Sequence, residues 1–253
     1  METDTQLAPS VVAVVVVHDP GDWFDETLES LAAQDYPNLR TLFLVPDATE
    51  EEHEALTVRI RSVIPSAFVR SVAGNPGFGT AVNDVLRLVD GDNGFFLVCH
   101  DDVALAPNVV GLLVAELFRS NAGMVGPKLT EWDHPKMLQH VGLGLDRFGE
   151  VDPIVDPGEA DQEQHDAVRD VFVLPSACVL VRADLFRTLG GFDPAISFHG
   201  EDVDLCWRAH LTGARVIVAP DAAVRHIERL PDRRPDLSHR TLRSRHRMRA
   251  VAT

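Results

Sequence analysis

The segment Phe95-Phe96-Leu97-Val98-Cys99-His100-Asp101-Asp102-Val103 runs from an apolar stretch into a histidine and two adjacent acids. In open α/β sheets, ligands bind beyond the carboxyl ends of the strands, which is where these three polar residues fall. Carboxylates in that position suit a hard divalent cation such as Mg²⁺ or Mn²⁺, and the cation can in turn neutralise a diphosphate. A solvated acidic turn after a strand is the other reading of the same residues. A second acidic pair opens Glu201-Asp202-Val203-Asp204-Leu205-Cys206-Trp207-Arg208, a few residues after Gly190-Gly191-Phe192-Asp193. At a helix N-terminus the free N–H groups and the macrodipole favour ionised carboxylates, and an ionised carboxylate can accept a proton. Ordinary enrichment of acids in a first helical turn looks the same.

The elements that must position these groups alternate. Apolar, β-branched runs at Val11–Val17, Leu39–Val45, Ala67–Val72 and Phe95–Cys99 read as buried strands. Between them Phe24, Leu28, Leu31 and Ala32 recur at helical spacing up to Tyr36-Pro37, and Glu50–Ser62 and Gly77–Val89 read as further helices. Pro107 opens another helix that runs to Arg119. From 131 to 170 periodicity fades into loops and short strands. Val171–Val181 then reads as a strand, Ala183–Leu189 as a helix stopped by Gly190-Gly191, Glu201–Leu211 as a helix stopped by Gly213, and Ala214–Ala219 as a strand. Alternation of this kind predicts one α/β domain with a Rossmann-like, mainly parallel sheet flanked by helices.

Composition bounds the function. The 253 residues carry 23 Lys+Arg against 39 Asp+Glu, a formal charge of −16, which argues against a surface built for nucleic acid. The charge is uneven: nine arginines against three acids from Arg225 onward give +6, leaving −22 for the rest. The apolar run Val11–Val17 is far shorter than the ~20 residues that cross a bilayer. Glu2 and Asp4 stand where a secretory signal has positive charge, so a cytoplasmic location is expected. Cys99, Cys178 and Cys206 are odd in number and widely spaced, as expected of buried free thiols. Cys206 and His210 share helical spacing, but no second pair completes a zinc site. Gly74-x-x-Gly77-x-Gly79 departs from the dinucleotide fingerprint, which disfavours a nicotinamide enzyme.

Taken in order, the motifs resemble those of the family 2 glycosyltransferases, inverting nucleotide-sugar enzymes of the GT-A fold. The resemblance spans about 10 to 228. It is carried by Val11–Val17 with His18-Asp19, Ser30 to Pro37, Asn75-Pro76-Gly77-Phe78-Gly79 with Asn83, and His100-Asp101-Asp102. It continues through Gly126-Pro127-Lys128-Leu129, Gly190-Gly191-Phe192-Asp193, Glu201 to Arg208, and Pro220-Asp221-Ala222 with His226. The Asn-x-Gly-Phe and Glu-Asp-x-Asp-Leu elements resemble in particular the branch that transfers rhamnosyl and galactofuranosyl units. The resemblance implies a nucleotide-binding half at about 10–127 and an acceptor half at about 128–228, followed by a basic tail or linker at 229–253. It implies Asp102 and His226, with His100, as ligands of Mn²⁺ or Mg²⁺, and Asp202 as the catalytic base, with Glu201 placing the acceptor. Asp47, Asn75, Gly77, Phe78, Asn83, Asp101 and Arg208 are expected to serve the nucleotide sugar, Arg208 equally suiting an ion pair with an acid. The acceptor is expected to be a glycan or a lipid-linked glycan.

Three positions depart from the family pattern. His100 stands where the metal motif usually begins with Asp, Pro46 replaces the first acid expected to read the nucleobase, and His18-Asp19 replaces an aromatic residue with Asn. Pro46 and His100 also fit an alternative, a catalytically silent glycosyltransferase-like binding domain of a larger membrane-associated protein. The arginine-rich end suits an anionic membrane surface such as the inner face of the cell membrane, a segment leading onward to a further region, or plain solvation; nucleic acid is the weakest partner for it.

Overall fold

Alternate residues of the first strand, β1 (Val11–Val16), enter different cores. Val11, Ala13 and Val15 pack on one face of the sheet, and Val12, Val14 and Val16 on the other. A strand buried on both faces needs helices on both, which is why it reads as a continuous apolar run. The computed structural model describes residues 8–228 together with Arg249. The expected tail at 229–253 therefore lies outside the described residues, apart from Arg249, which pairs with Asp193.

After β1 come α1 (Trp23–Ala32), β2 (Leu39–Pro46), α2 (Glu50–Val63), β3 (Phe68–Val72), α3 (Phe78–Val82), α4 (Val85–Leu88), β4 (Phe95–His100) and β5 (Val103–Leu105). The second half contains α5 (Val109–Ser120), β6 (Met124–Glu131), β7 (Leu138–His140), β8 (Leu143–Leu145), β9 (Val151–Pro153), β10 (Arg169–Asp170), β11 (Cys178–Arg182), α6 (Ala183–Thr188), α7 (Glu201–Leu211) and β12 (Val216–His226). The main sheet has the order β10-β12-β6-β11-β4-β1-β2-β3, with β5 added to β12 and β7 to β6. Its longest ladders, β1 with β2 and β4, and β6 with β12, are parallel, and β11 runs antiparallel between β4 and β6. Helices α1, α2 and α5 cover one face through Phe24, Leu28, Ile60 and Leu113. Helices α3, α4, α6 and α7 cover the other through Val82, Val85, Phe186 and Cys206. Each large apolar side chain so buried contributes about 1.5–3 kcal/mol.

Local chemistry explains several boundaries. Thr49 and Glu52 form a reciprocal capping box, with Glu52 N–H donating to Thr49 Oγ1 at 3.3 Å and Thr49 N–H donating to Glu52 Oε2 at 2.8 Å, so α2 starts where the sequence predicts. All three cysteines are buried and free.

Three expectations change. The helix expected over Gly77–Val89 is two short helices, because Asn83 at the break turns both ends of its amide to another segment. Its Nδ2 donates to Phe192 O and its Oδ1 accepts from Phe192 N–H, each at 2.8 Å. The strand expected over Val171–Val181 begins only at Cys178. Before it Val173 makes an isolated bridge to Leu143, and Pro175 has no N–H to give a ladder. The last strand continues past Ala219 to His226 through a bulge at Pro220–Ala222.

The Asn83 clamp is expected to matter for stability. Asn83→Ala removes two partly buried hydrogen bonds and strands the Phe192 backbone, a loss of about 1–3 kcal/mol. At ~2–4 °C per kcal/mol for a domain of this size, the melting temperature should fall by several degrees. An unchanged melting temperature would mean that the clamp is not made in solution.

Candidate functional site

The strand order reverses at β1, which has β2 on one side and β4 on the other. Sheets of this kind open a crevice at the carboxyl ends of the two strands that flank the switch. Val16 lies level with His100 in the register, so the chain leaves β1 and β4 side by side at that crevice. Asp101, 2% exposed, ties the two exits together. Its Oδ2 accepts the His18 N–H at 3.1 Å, and its carbonyl accepts the Thr27 hydroxyl at 3.0 Å.

His100, Asp102 and His226 converge there, with one ligand atom from each within 4.8 Å of the others. Asp102 Oδ1 is 3.7 Å from His100 Nδ1 and 3.4 Å from His226 Nε2. The pairing that brings them together is short. β5 runs antiparallel to the end of β12 with Val103 opposite His226, and the Ile227 N–H donates to the Asp102 carbonyl at 3.1 Å. His226 is 6% exposed and its Nε2 makes no hydrogen bond. A buried imidazole nitrogen facing a carboxylate, with a second imidazole beside it, fits a divalent cation. Two nitrogens and one oxygen suit Mn²⁺ and later first-row metals better than Mg²⁺, which prefers oxygen throughout.

Two residues invisible as site residues in the sequence complete this region. Ser176, in the segment expected to be mid-strand, lies between His100 Nε2 and Glu201 Oε1, at 3.3 Å from each. Gln139, on β7 in the stretch expected to hold loops and short strands, accepts from His226 Nδ1 at 2.9 Å. Neither carries a spacing signal, since both act across the sheet. His140, next to Gln139, is held neutral: burial, and then His226, lower its pKa to about 4.

Helix α7 begins after His199 and Gly200, both at positive φ, and puts Glu201 and Asp202 in its first turn. The expectation of two ionised acids fails at Glu201. Burial, reinforced by the charge of Asp202, pushes its carboxyl up to about 8, outweighing the Ser176 hydrogen bond, so it is protonated at neutral pH. Asp202 is half-buried, and its Oδ1 accepts the Val203 N–H at 2.8 Å.

The remaining expected residues separate into two groups. Phe78 packs edge-on against His100 with ring centroids 4.6 Å apart, and Asn75 Nδ2 lies 3.2 Å from His18 Nε2, so both border the crevice. Gly77 sits at φ +93°, and a Cβ there would stand 2.0 Å from the Ser197 carbonyl, so the loop needs glycine to pass that close. Asp47 is exposed just beyond β2, at φ 57°. Asn83 has both ends of its amide engaged by the Phe192 backbone. Arg208 follows the ion-pair expectation: its Nε donates to Asp204 at 2.9 Å and its Nη1 to the Leu189 carbonyl at 2.8 Å. Cys206 is no metal ligand partner for His210, because burial pushes its thiol up to about 12 and its sulfur accepts the Leu174 N–H.

The raised Glu201 pKa sets the sign of a pH effect. Between its ordinary value of 4.5 and about 8 the folded state holds a proton that the unfolded chain has released. Stability from this group therefore falls as pH rises through that window, by at most about 1.4 kcal/mol per pH unit. Thermal melts from pH 5 to 9 should show the wild type losing stability relative to Glu201→Gln, and parallel curves would contradict the buried, protonated state.

The chain is similar in sequence and in fold to known proteins. The chain is 28% identical over 233 residues to the O-antigen biosynthesis protein RfbC of Myxococcus xanthus, a match covering 87% of the chain and 17% of RfbC. It is 26% identical over 248 residues to an N-acetylglucosaminyl-diphospho-decaprenol L-rhamnosyltransferase of Mycobacterium tuberculosis, covering 89% of the chain and 78% of that enzyme. Among solved structures, GalNAc-T7 with UDP, GalNAc and Mn²⁺ superimposes with a TM-score of 0.71 at 15% identity, over 88% of this chain and 44% of that one. The Pyrobaculum calidifontis mannosyltransferase PcManGT, in complex with GDP-Man and Mn²⁺, gives 0.66 at 16% identity, over 98% and 65%. The chain thus spans less than two thirds of RfbC and of both of these structural neighbours, whose likeness establishes the GT-A type of fold. The pattern described as Glycosyltransferase like family 2 matches residues 9–249, nearly the whole chain, and the chain belongs to that family of glycosyltransferases.

Proposed function

We propose that this family 2 glycosyltransferase is metal-dependent and inverting, and moves a sugar from a nucleoside diphosphate to a hydroxyl of a glycan or lipid-linked glycan. The observation that carries the reading is the convergence of His100, Asp102 and His226 at the switch point of the sheet. Mn²⁺ or Mg²⁺ held by these three residues would supply positive charge to the departing diphosphate. His100 in place of an acid keeps a ligand at that position, which favours an active enzyme over the silent binding-domain alternative. The M. tuberculosis relative is named for a decaprenol-diphosphate-linked acceptor, which supports a lipid-linked acceptor here.

The chain's own residues divide the remaining work. Asp202 takes the proton from the acceptor hydroxyl as its oxygen attacks the anomeric carbon in line, and the bond to the diphosphate breaks on the opposite face. Glu201, kept protonated, does not compete as a base and can donate a hydrogen bond to an acceptor oxygen. Ser176 links Glu201 to His100, so the acceptor end and the diphosphate end are held on one frame. Asn75, Gly77, Phe78 and Asp101 border the donor, and Asp47 stands beyond β2 on the nucleobase side. Asn83 and Arg208 support the donor site from behind, through Phe192 and Asp204. The arginine-rich end supports a place at an anionic membrane surface. Among the described residues, no helix is long and apolar enough to cross a membrane.

Loss of a general base costs about 10²–10⁴ in rate. Asp202→Asn is therefore expected to lower transfer or slow hydrolysis of a nucleotide sugar by that factor, while titration calorimetry still finds nucleoside diphosphate bound in the presence of Mn²⁺. Turnover at the wild-type rate would remove Asp202 from the mechanism. His226→Ala is expected to lose the Mn²⁺ dependence of nucleoside diphosphate binding, and equal binding with and without Mn²⁺ in the wild type would overturn the metal-dependent reading.

A further inference from the structure

His226 has two ring nitrogens, and only one can present a lone pair when the ring is neutral. Its Nε2 faces Asp102 Oδ1 at 3.4 Å and makes no hydrogen bond. Its Nδ1 lies 2.9 Å from Gln139 Oε1, an atom that accepts and cannot donate. With that partner the proton belongs on Nδ1, which leaves the lone pair on Nε2, the nitrogen turned toward Asp102. Gln139 reaches His226 from β7, the short strand added to the far edge of β6, whose own partner β12 carries His226. The contact joins residues 87 apart in the chain. Ring nitrogens of metal-binding histidines are characteristically oriented by such a partner on the opposite side of the ring.

We infer that Gln139 is a positioning residue that fixes the orientation and tautomer of His226, holding the Nε2 lone pair toward the cation site. The assignment rests on the metal-dependent reading above, but it concerns a property of the metal-free protein as well. Free imidazole side chains in water favour the proton on Nε2, so the arrangement has to be imposed. Gln139 imposes it. The strand that carries Gln139 thereby becomes part of the cation site without contributing a ligand.

The test compares the wild type with Gln139→Leu, which keeps the bulk and removes the acceptor, and Gln139→Glu, which keeps an acceptor oxygen in the same place. Long-range ¹H–¹⁵N correlation spectra of the metal-free proteins report the His226 tautomer. The expected result is a proton on Nδ1 in the wild type and Gln139→Glu, and a shift toward Nε2–H in Gln139→Leu. Titration with Mn²⁺ alone, followed by electron paramagnetic resonance of the free ion, should show affinity about 10–100-fold weaker in Gln139→Leu and restored in Gln139→Glu. Thermal melts check that the variants fold; should Gln139→Leu fail to fold, the wild-type and Gln139→Glu spectra still distinguish the two tautomers. A wild-type His226 protonated on Nε2, or a folded Gln139→Leu with unchanged tautomer and Mn²⁺ affinity, would overturn the inference. If the wild type binds no Mn²⁺, the metal reading falls, and the tautomer spectra alone judge Gln139.

Discussion

The site depends on one short pairing. Three residues of β5 run antiparallel to the end of β12, with Val103 opposite His226, and this pairing, extended by the Ile227 N–H bond to the Asp102 carbonyl, places Asp102 against a histidine far away in sequence. Each strand is held from elsewhere. β5 follows directly on the turn at Asp101 and Asp102, which the His18 N–H and the Thr27 hydroxyl anchor to the first β-α unit. β12 is held along its length by the parallel ladder with β6. The cluster of His100, Asp102 and His226 therefore joins the end of β4 to the end of β12, and it forms only when both strands are in place.

The bulge in β12 is what makes the cluster reachable. Before it Ile217 and Ala219 enter the core beneath α5, and after it Ala222 and Val224 enter the same core, so the alternation of the strand changes parity between them. Pro220 marks the place, since a residue without an N–H leaves the ladder at little cost. His226 shares the parity of Ala222 and Val224. The sequence Pro220-Asp221-Ala222 thus sets the phase in which His226 arrives beside Asp102.

Burial distributes the chemistry among similar side chains. Glu201 and Asp202 are neighbours in one helical turn, yet only Glu201 is almost fully buried, and desolvation drives its proton affinity up. The helix N-terminus favours the ionised form of both acids, but that contribution of about 0.3–1 kcal/mol is too small to offset loss of solvent around a buried carboxylate. The same logic keeps His140 neutral beside His226 and leaves Cys206 a packed thiol.

By itself the sequence determined the alternating elements, the burial of the strands, and the positions of His100, Asp102, Glu201 and Asp202 at element ends, while His226 was carried by the family resemblance and its place at the end of β12 by the structure. Those features are local: apolar period, capping residues and strand termini are written in consecutive residues, and their order carries the family. The tertiary structure decided which side chains meet. Ser176 between His100 and Glu201, Gln139 behind His226 and Asn83 on Phe192 all depend on register, bulge and packing, whereas the Arg208–Asp204 pair is an i,i+4 contact within α7 that spacing alone allows. It also decided the protonation of Glu201. Contacts between remote strands and the desolvation they produce are properties of the folded sheet, and neither the period nor the spacing of residues along a chain encodes them.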